Sequence, residues 1–111
     1  MKNLSPFNRL LPSLAVSLGL LMQPAAAMDP ARAQELGNLL VQDCGSCHGT
    51  RMKGGLGPPL TADRMQRLPE QWIVTTILEG RRGTAMPPWR ALLTAEEATW
   101  LARALKSGVE Q

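Results

Sequence analysis

Apolar positions along this chain form one unbroken block and three periodic stretches. The block runs from Leu10 to Met22 and includes Leu10, Leu11, Leu14, Val16, Leu18, Leu20 and Leu21. Lys2 and Arg9 precede it, and Ala25-Ala26-Ala27 follow. A positive start, a short apolar core and small residues at the end are the pattern of a cleaved export signal. The cut is expected between Ala27 and Met28. An apolar run of about a dozen residues is short of the ~20 needed to span a bilayer, and no cysteine stands at the cut to carry a lipid. The expected organisation is therefore a signal over residues 1–27, removed on export, and one domain over 28–111 without a membrane span.

The periodic stretches predict three helices. The first covers about Pro30 to Asp43. Asp29 is placed to cap it, and Pro30 suits a first helical position whose N–H has no partner. Ala33, Leu36, Gly37 and Leu40 share one face, which leads towards Cys44. Gly37 inside that helix implies close approach of a neighbouring helix. The second helix begins at Pro69 and ends near Glu79, with Gly80 as its stop. Ile73, Thr76 and Ile77 mark its inner face, with Trp72 at the border. The third opens on Thr94-Ala95-Glu96-Glu97, a capping box. It continues with the stripe Ala98, Leu101, Ala102 and Leu105, and Gly108 ends it. Trp100 lies off that stripe and is expected as an exposed aromatic. No stretch alternates like a strand, Tyr is absent, and no internal repeat occurs. The expected fold class is all-α.

Two connections are long for so small a domain. One contains Gly54-Gly55-Leu56-Gly57-Pro58-Pro59, the other Arg81-Arg82-Gly83-Thr84-Ala85-Met86-Pro87-Pro88. Loops of this composition need a surface to pack on, and a flat apolar cofactor supplies one. Twelve Lys plus Arg stand against nine Asp plus Glu, a net charge of +3. Lys2 and Arg9 leave with the signal, so the domain is close to neutral. That balance argues against a nucleic-acid or membrane-surface protein. Arg51, Lys53, Arg81 and Arg82 are candidate steering charges, or else a solvated basic rim.

The chain holds two cysteines and one histidine, all in Cys44-Gly45-Ser46-Cys47-His48. Cys-x-x-Cys-His is the attachment sequence of c-type haem. Its thiols add across the two vinyl groups, and the adjacent imidazole reaches the iron. A thioredoxin-like dithiol needs this spacing after a strand, and here a helix precedes it. A zinc site wants four protein ligands, and no second pair exists. A disulfide between near neighbours explains neither His48 nor the loops. One covalent haem c is thus expected, bound by Cys44 and Cys47, with His48 on the iron.

No second histidine and no tyrosine can take the sixth iron position, which leaves methionine. Met28 is at the new terminus, Met52 is too close to His48, and Met65 sits in the polar stretch Ala62-Asp63-Arg64-Met65-Gln66-Arg67. Met86 is favoured over Met65 or an open position, because Pro87 and Pro88 stiffen its loop. A proximal histidine also needs a partner for its other ring nitrogen. The carbonyl of Pro58, in Gly57-Pro58-Pro59-Leu60, is assigned to His48 Nδ1–H, with an ordinary turn as the plain alternative.

These segments in this order resemble class I cytochromes c over nearly all of residues 28–111. Met86-Pro87-Pro88-Trp89-Arg90 and Trp100 narrow the likeness to the small NirC-type periplasmic cytochromes of dissimilatory nitrite-reductase clusters. The resemblance implies first and last helices that cross and a monomeric single-electron carrier rather than an enzyme. It further implies cytochrome cd1 nitrite reductase as a redox partner in denitrification, or alternatively a role in haem d1 maturation with an open sixth position. Family members often carry an aromatic near position 104, where this chain has Ala104.

Overall fold

The computed structural model describes residues 26–109. The export signal expected over residues 1–27 lies, apart from Ala26 and Ala27, outside the described residues.

Helix α1 spans Pro30–Leu39. Asp29 caps it through a 3.1 Å bond that its carboxylate accepts from the Arg32 N–H. The helical path does not stop at Asp43 as expected. It widens into a π turn over Leu40–Cys44, where the Gly45 N–H reaches back to the Leu40 carbonyl. It then continues as α2, Gly45–His48. Nothing in Cys44-Gly45-Ser46-Cys47 breaks a helix outright, and Ser46 Oγ folds back onto the Asp43 carbonyl at 2.7 Å. Gly49 ends the run with φ +88°, where an added Cβ would fall 2.6 Å from the Gly54 carbonyl oxygen.

Helix α3, Ala62–Gln66, is an addition to the expected three. At five residues it is too short to show a period, and Met65 is its one buried residue. Helix α4 covers Glu70–Glu79, with Pro69 just outside as its cap. Helix α5 covers Ala95–Ser107. Its capping box is complete: Thr94 Oγ1 accepts from the Glu97 N–H at 3.2 Å, and Glu97 Oε2 accepts from the Thr94 N–H at 2.9 Å. Among the described residues all regular elements are helical.

The core gathers on α5, whose Ala98, Leu101, Ala102 and Leu105 are all buried. Helices α1, α3 and α4 each pack against it. Leu36 and Leu40 enter from the α1 side, and Val74 and Leu78 from α4. A side-chain bridge from Arg32 Nε to Glu97 Oε1, 2.6 Å, also joins α1 to α5.

Two expectations are corrected. Gly37 has no close neighbour, because a Cβ built there meets nothing within 4 Å; Arg32 and Glu97 bridge the first and last helices, and Leu36 joins the common core. Trp100 is half-buried and packs against the core rather than standing in solvent. A wide ring at the edge of a narrow stripe can cover apolar neighbours with one face.

Candidate haem-binding cleft

A cleft of about 360 Å³ opens beside α4, and residues from every helical segment except α1 reach it. Cys44, Cys47 and His48 come from the π turn and α2, Gly57 and Pro58 from the following loop, and Met86 from the loop after α4. The structure thus brings together all five residues expected at the site. Apolar side chains supply most of the lining, among them Leu60, Leu68, Ile73, Ile77 and Trp89.

The loop from Gly54 to Pro58 wraps the motif. The Gly54 N–H donates to the His48 carbonyl at 2.7 Å, and the Gly57 N–H to the Cys47 carbonyl at 2.7 Å. His48 Nδ1 lies 2.7 Å from the Pro58 carbonyl oxygen. A carbonyl only accepts, so this contact puts the proton on Nδ1 and leaves the Nε2 lone pair for a metal. Gly57 completes the clamp: a Cβ there would sit 2.7 Å from Nδ1 and Cε1 of the ring. Only a residue without a side chain lets the loop lie flat on the imidazole.

Cys44 and Cys47 are both half-buried, and no disulfide joins them. Burial pushes the Cys44 thiol up to about 11, and the charge of Asp43 adds to the effect. Before haem attachment Cys44 is therefore a neutral thiol at neutral pH rather than a thiolate.

The Met86 loop is tied to the end of α4. Gly80 turns with φ +66°, and a Cβ there would meet the Met86 carbonyl oxygen at 2.7 Å. The Trp89 N–H donates to the Ile77 carbonyl at 3.1 Å, and the Arg90 N–H to that of Leu78 at 3.2 Å. These bonds occupy carbonyls that a helix C-terminus leaves free. Arg90 also pairs with Glu79.

Some lining residues were not legible beforehand. Met65, the second choice for the iron despite its polar stretch, is 3 % exposed and forms part of the wall. Arg64 lines the cleft too. The Ile73, Thr76 and Ile77 face of α4 lines the cleft, Ile73 being buried core as well, while Val74 and Leu78 are buried core positions away from it. Met52 is buried but does not line the cleft; its Cε lies 3.6 Å from where a Gly45 Cβ would be. Of the four candidate steering charges, Arg81 lines the cleft, and Arg51, Lys53 and Arg82 are exposed outside it.

Two thiols, an imidazole with a free Nε2 and two thioethers around an apolar slot fit a covalently held haem and its iron. A helical domain built around such a slot is a c-type cytochrome, and the chain belongs to the family described as "Cytochrome C oxidase, cbb3-type, subunit III", which matches residues 31–103. More narrowly, it is similar to the proteins named cytochrome c55X. That of Pseudomonas aeruginosa is 49% identical over 80 residues, 72% of this chain and 67% of the relative. That of Paracoccus denitrificans is 50% identical over 91 residues, 80% and 88% of the two chains. A solved structure titled "c-type cytochrome NirC" superposes with a TM-score of 0.69 at 49% identity, covering 71% of this chain and 93% of that one. Cytochrome CL of Methylophaga aminisulfidivorans shares the fold alone, with a TM-score of 0.57 at 22% identity over 82% and 71% of the two chains. The chain is thus a monohaem c-type cytochrome: it carries haem c covalently, passes electrons to and from redox partners, and is not an enzyme. Among the described residues no helix is long and apolar enough to cross a membrane.

Proposed function

We propose that this chain is exported to the periplasm, loses residues 1–27, and carries single electrons as a monomer to cytochrome cd1 nitrite reductase in denitrification. Cys44 and Cys47 would hold the haem covalently, and His48 and Met86 would supply the protein ligands to its iron. The observation that carries the reading is the His48 Nδ1–Pro58 carbonyl contact of 2.7 Å, on the same cleft as both cysteines and Met86. The likeness to the NirC-type cytochromes through Met86-Pro87-Pro88-Trp89-Arg90 supports the choice of partner.

Haem iron, when bound, supplies the one-electron couple; the protein sets its potential and its access. Pro58 orients His48 and raises the basicity of its free nitrogen. Pro87 and Pro88 fix the backbone after Met86, and the bonds from Trp89 and Arg90 to α4 hold that loop in place. The apolar lining excludes water, which favours a high potential together with a thioether ligand.

The ferric protein is expected to show the weak far-red absorption band of an iron–thioether bond, and Met86→Ala to lose it with a fall in midpoint potential. Loss of the band in Met65→Ala alone would move the role to Met65. A high-spin ferric spectrum in the unaltered protein, with ready CO binding when ferrous, would favour the open position of a haem d1 maturation role. For the partner, stopped-flow mixing of ferrous protein with cytochrome cd1 nitrite reductase should give rapid oxidation, and no oxidation would remove that assignment.

A further inference from the structure

A second groove, about 460 Å³, runs along the outside of the haem cleft and is lined by Pro59, Thr61, Asp63, Arg64, Arg67, Leu68 and Trp72. Arg64, Leu68 and Trp72 line both spaces and so form the wall between them. Trp72 is 46% exposed, a large ring left open to solvent. Arg81 lies over it at 5.9 Å from guanidinium carbon to ring centroid.

Charge is distributed unevenly around this wall. Four acids elsewhere have cationic partners, Glu35 and Glu97 in Arg32, Glu70 in Arg103 and Glu79 in Arg90, whereas Asp43, on the haem cleft, has no ion pair among the described residues. At the groove, Asp63 faces Arg67 only at 3.9 Å, with both side chains largely in solvent. No ion pair or side-chain hydrogen bond engages the Arg64 guanidinium among the described residues. Two arginines thus stand against one aspartate, with Arg81 a third cation beside the same ring.

We infer that this side groove, centred on Trp72 and flanked by Arg64, Arg67 and Arg81, is where an acidic redox partner protein docks. Exposed tryptophan and arginine are the residue types that anchor interfaces. Cations at a rim speed encounter with a carboxylate-bearing surface. A partner seated there touches the ring that also borders the haem cleft, so the contact lies one side chain from the cofactor site. The basic pair Arg51 and Lys53 lines neither space; beside it the exposed Leu56 borders the haem cleft, but no aromatic ring and no groove accompany these two cations. The inference rests on the carrier reading and names its contact surface.

The test uses the haem-loaded, ferrous, isotope-labelled protein and a hexaglutamate peptide as the acidic probe, followed by NMR at low salt. Shift changes should centre on the Trp72 indole N–H and the Arg64 and Arg67 side chains. Arg64→Gln/Arg67→Gln should weaken binding at least about tenfold, and Trp72→Ala should move the changes away from α4. Arg51→Gln/Lys53→Gln should leave the titration unaltered. Changes centred on Leu56, Arg51 and Lys53, or equal losses in both double variants, would overturn the inference. All these residues are exposed; because Arg64 and Trp72 also border the haem cleft, far-ultraviolet circular dichroism and retention of covalent haem verify the fold of each variant. Reduction of the same samples by ascorbate separates the two readings: failure to cycle removes the carrier role, whereas a peptide footprint elsewhere on a cycling protein removes only the groove.

Discussion

His48 shows how little freedom the site leaves to one side chain. Its ring is gripped by a hydrogen bond to Pro58 on one nitrogen and by the bare Cα of Gly57 along one edge. Gly57→Ala must displace either the ring or the loop, since the new carbon falls 2.7 Å from Nδ1 and Cε1. The expected loss is about 1–3 kcal/mol, as for other overpacked sites, read as a lower denaturation midpoint with faster exchange of the Nδ1 proton. An unchanged midpoint and proton would show that the clamp is slack. At this scale the sequence was highly legible. Cys44, Cys47 and His48 announce themselves by spacing, and Pro58 by the stiffness of its segment. Met65 was weighed as the second choice for the iron, but its burial was not legible, because its neighbours in sequence are polar while its neighbours in space are apolar. Burial of one residue on a five-residue helix leaves no period to read.

Among the elements, α4 and α5 formed where their periodicity and caps placed them, because each has its signals within its own few residues. The π turn over Leu40–Cys44 had no such signal. It extends the helical path through the attachment motif, whereas the expected helix ended at Asp43. Glu97 ties two elements together: it closes the capping box of α5 and takes the Arg32 side chain of α1. The Arg32 hydrogen bond, then the Thr94 N–H, holds its carboxyl below the usual range. A depressed folded value means that this contribution is complete above the unfolded value, about 4.3. It disappears as pH falls through the lower folded value. Glu97→Gln should therefore lower Tm at neutral pH and flatten the loss of Tm between about pH 5 and pH 3. Glu70, lowered by Arg103, leaves part of that slope in place. A slope identical to the parent's would mean that Arg32 and Glu97 do not pair in solution.

Across the whole molecule the cleft and the core share walls. Ile73, Met65 and Leu105 are buried core residues that also line the slot. The group held there is therefore part of the packing, and a domain this small has little apolar surface to spare. A Cys44→Ala/Cys47→Ala chain, unable to hold haem covalently, should lose most of its helical circular dichroism. A cooperative, native-like melt in that variant would show that the helices stand without the cofactor.

Local signals in the chain determined the helical class, the caps at Asp29 and Thr94, the Cys44, Cys47 and His48 spacing and the proline carbonyl beside His48. These depend on residues within a few positions of one another, so their physics is complete in a short window. Tertiary structure alone decided that α4 turns Ile73, Thr76 and Ile77 to the cleft while Val74 and Leu78 fill the core. It also decided that Gly37 has open space, that Trp100 lies against the core, and that Arg64 and Trp72 divide two grooves. Each of those outcomes depends on which distant segment arrives opposite, and contact between segments far apart in sequence is settled only when the chain closes on itself.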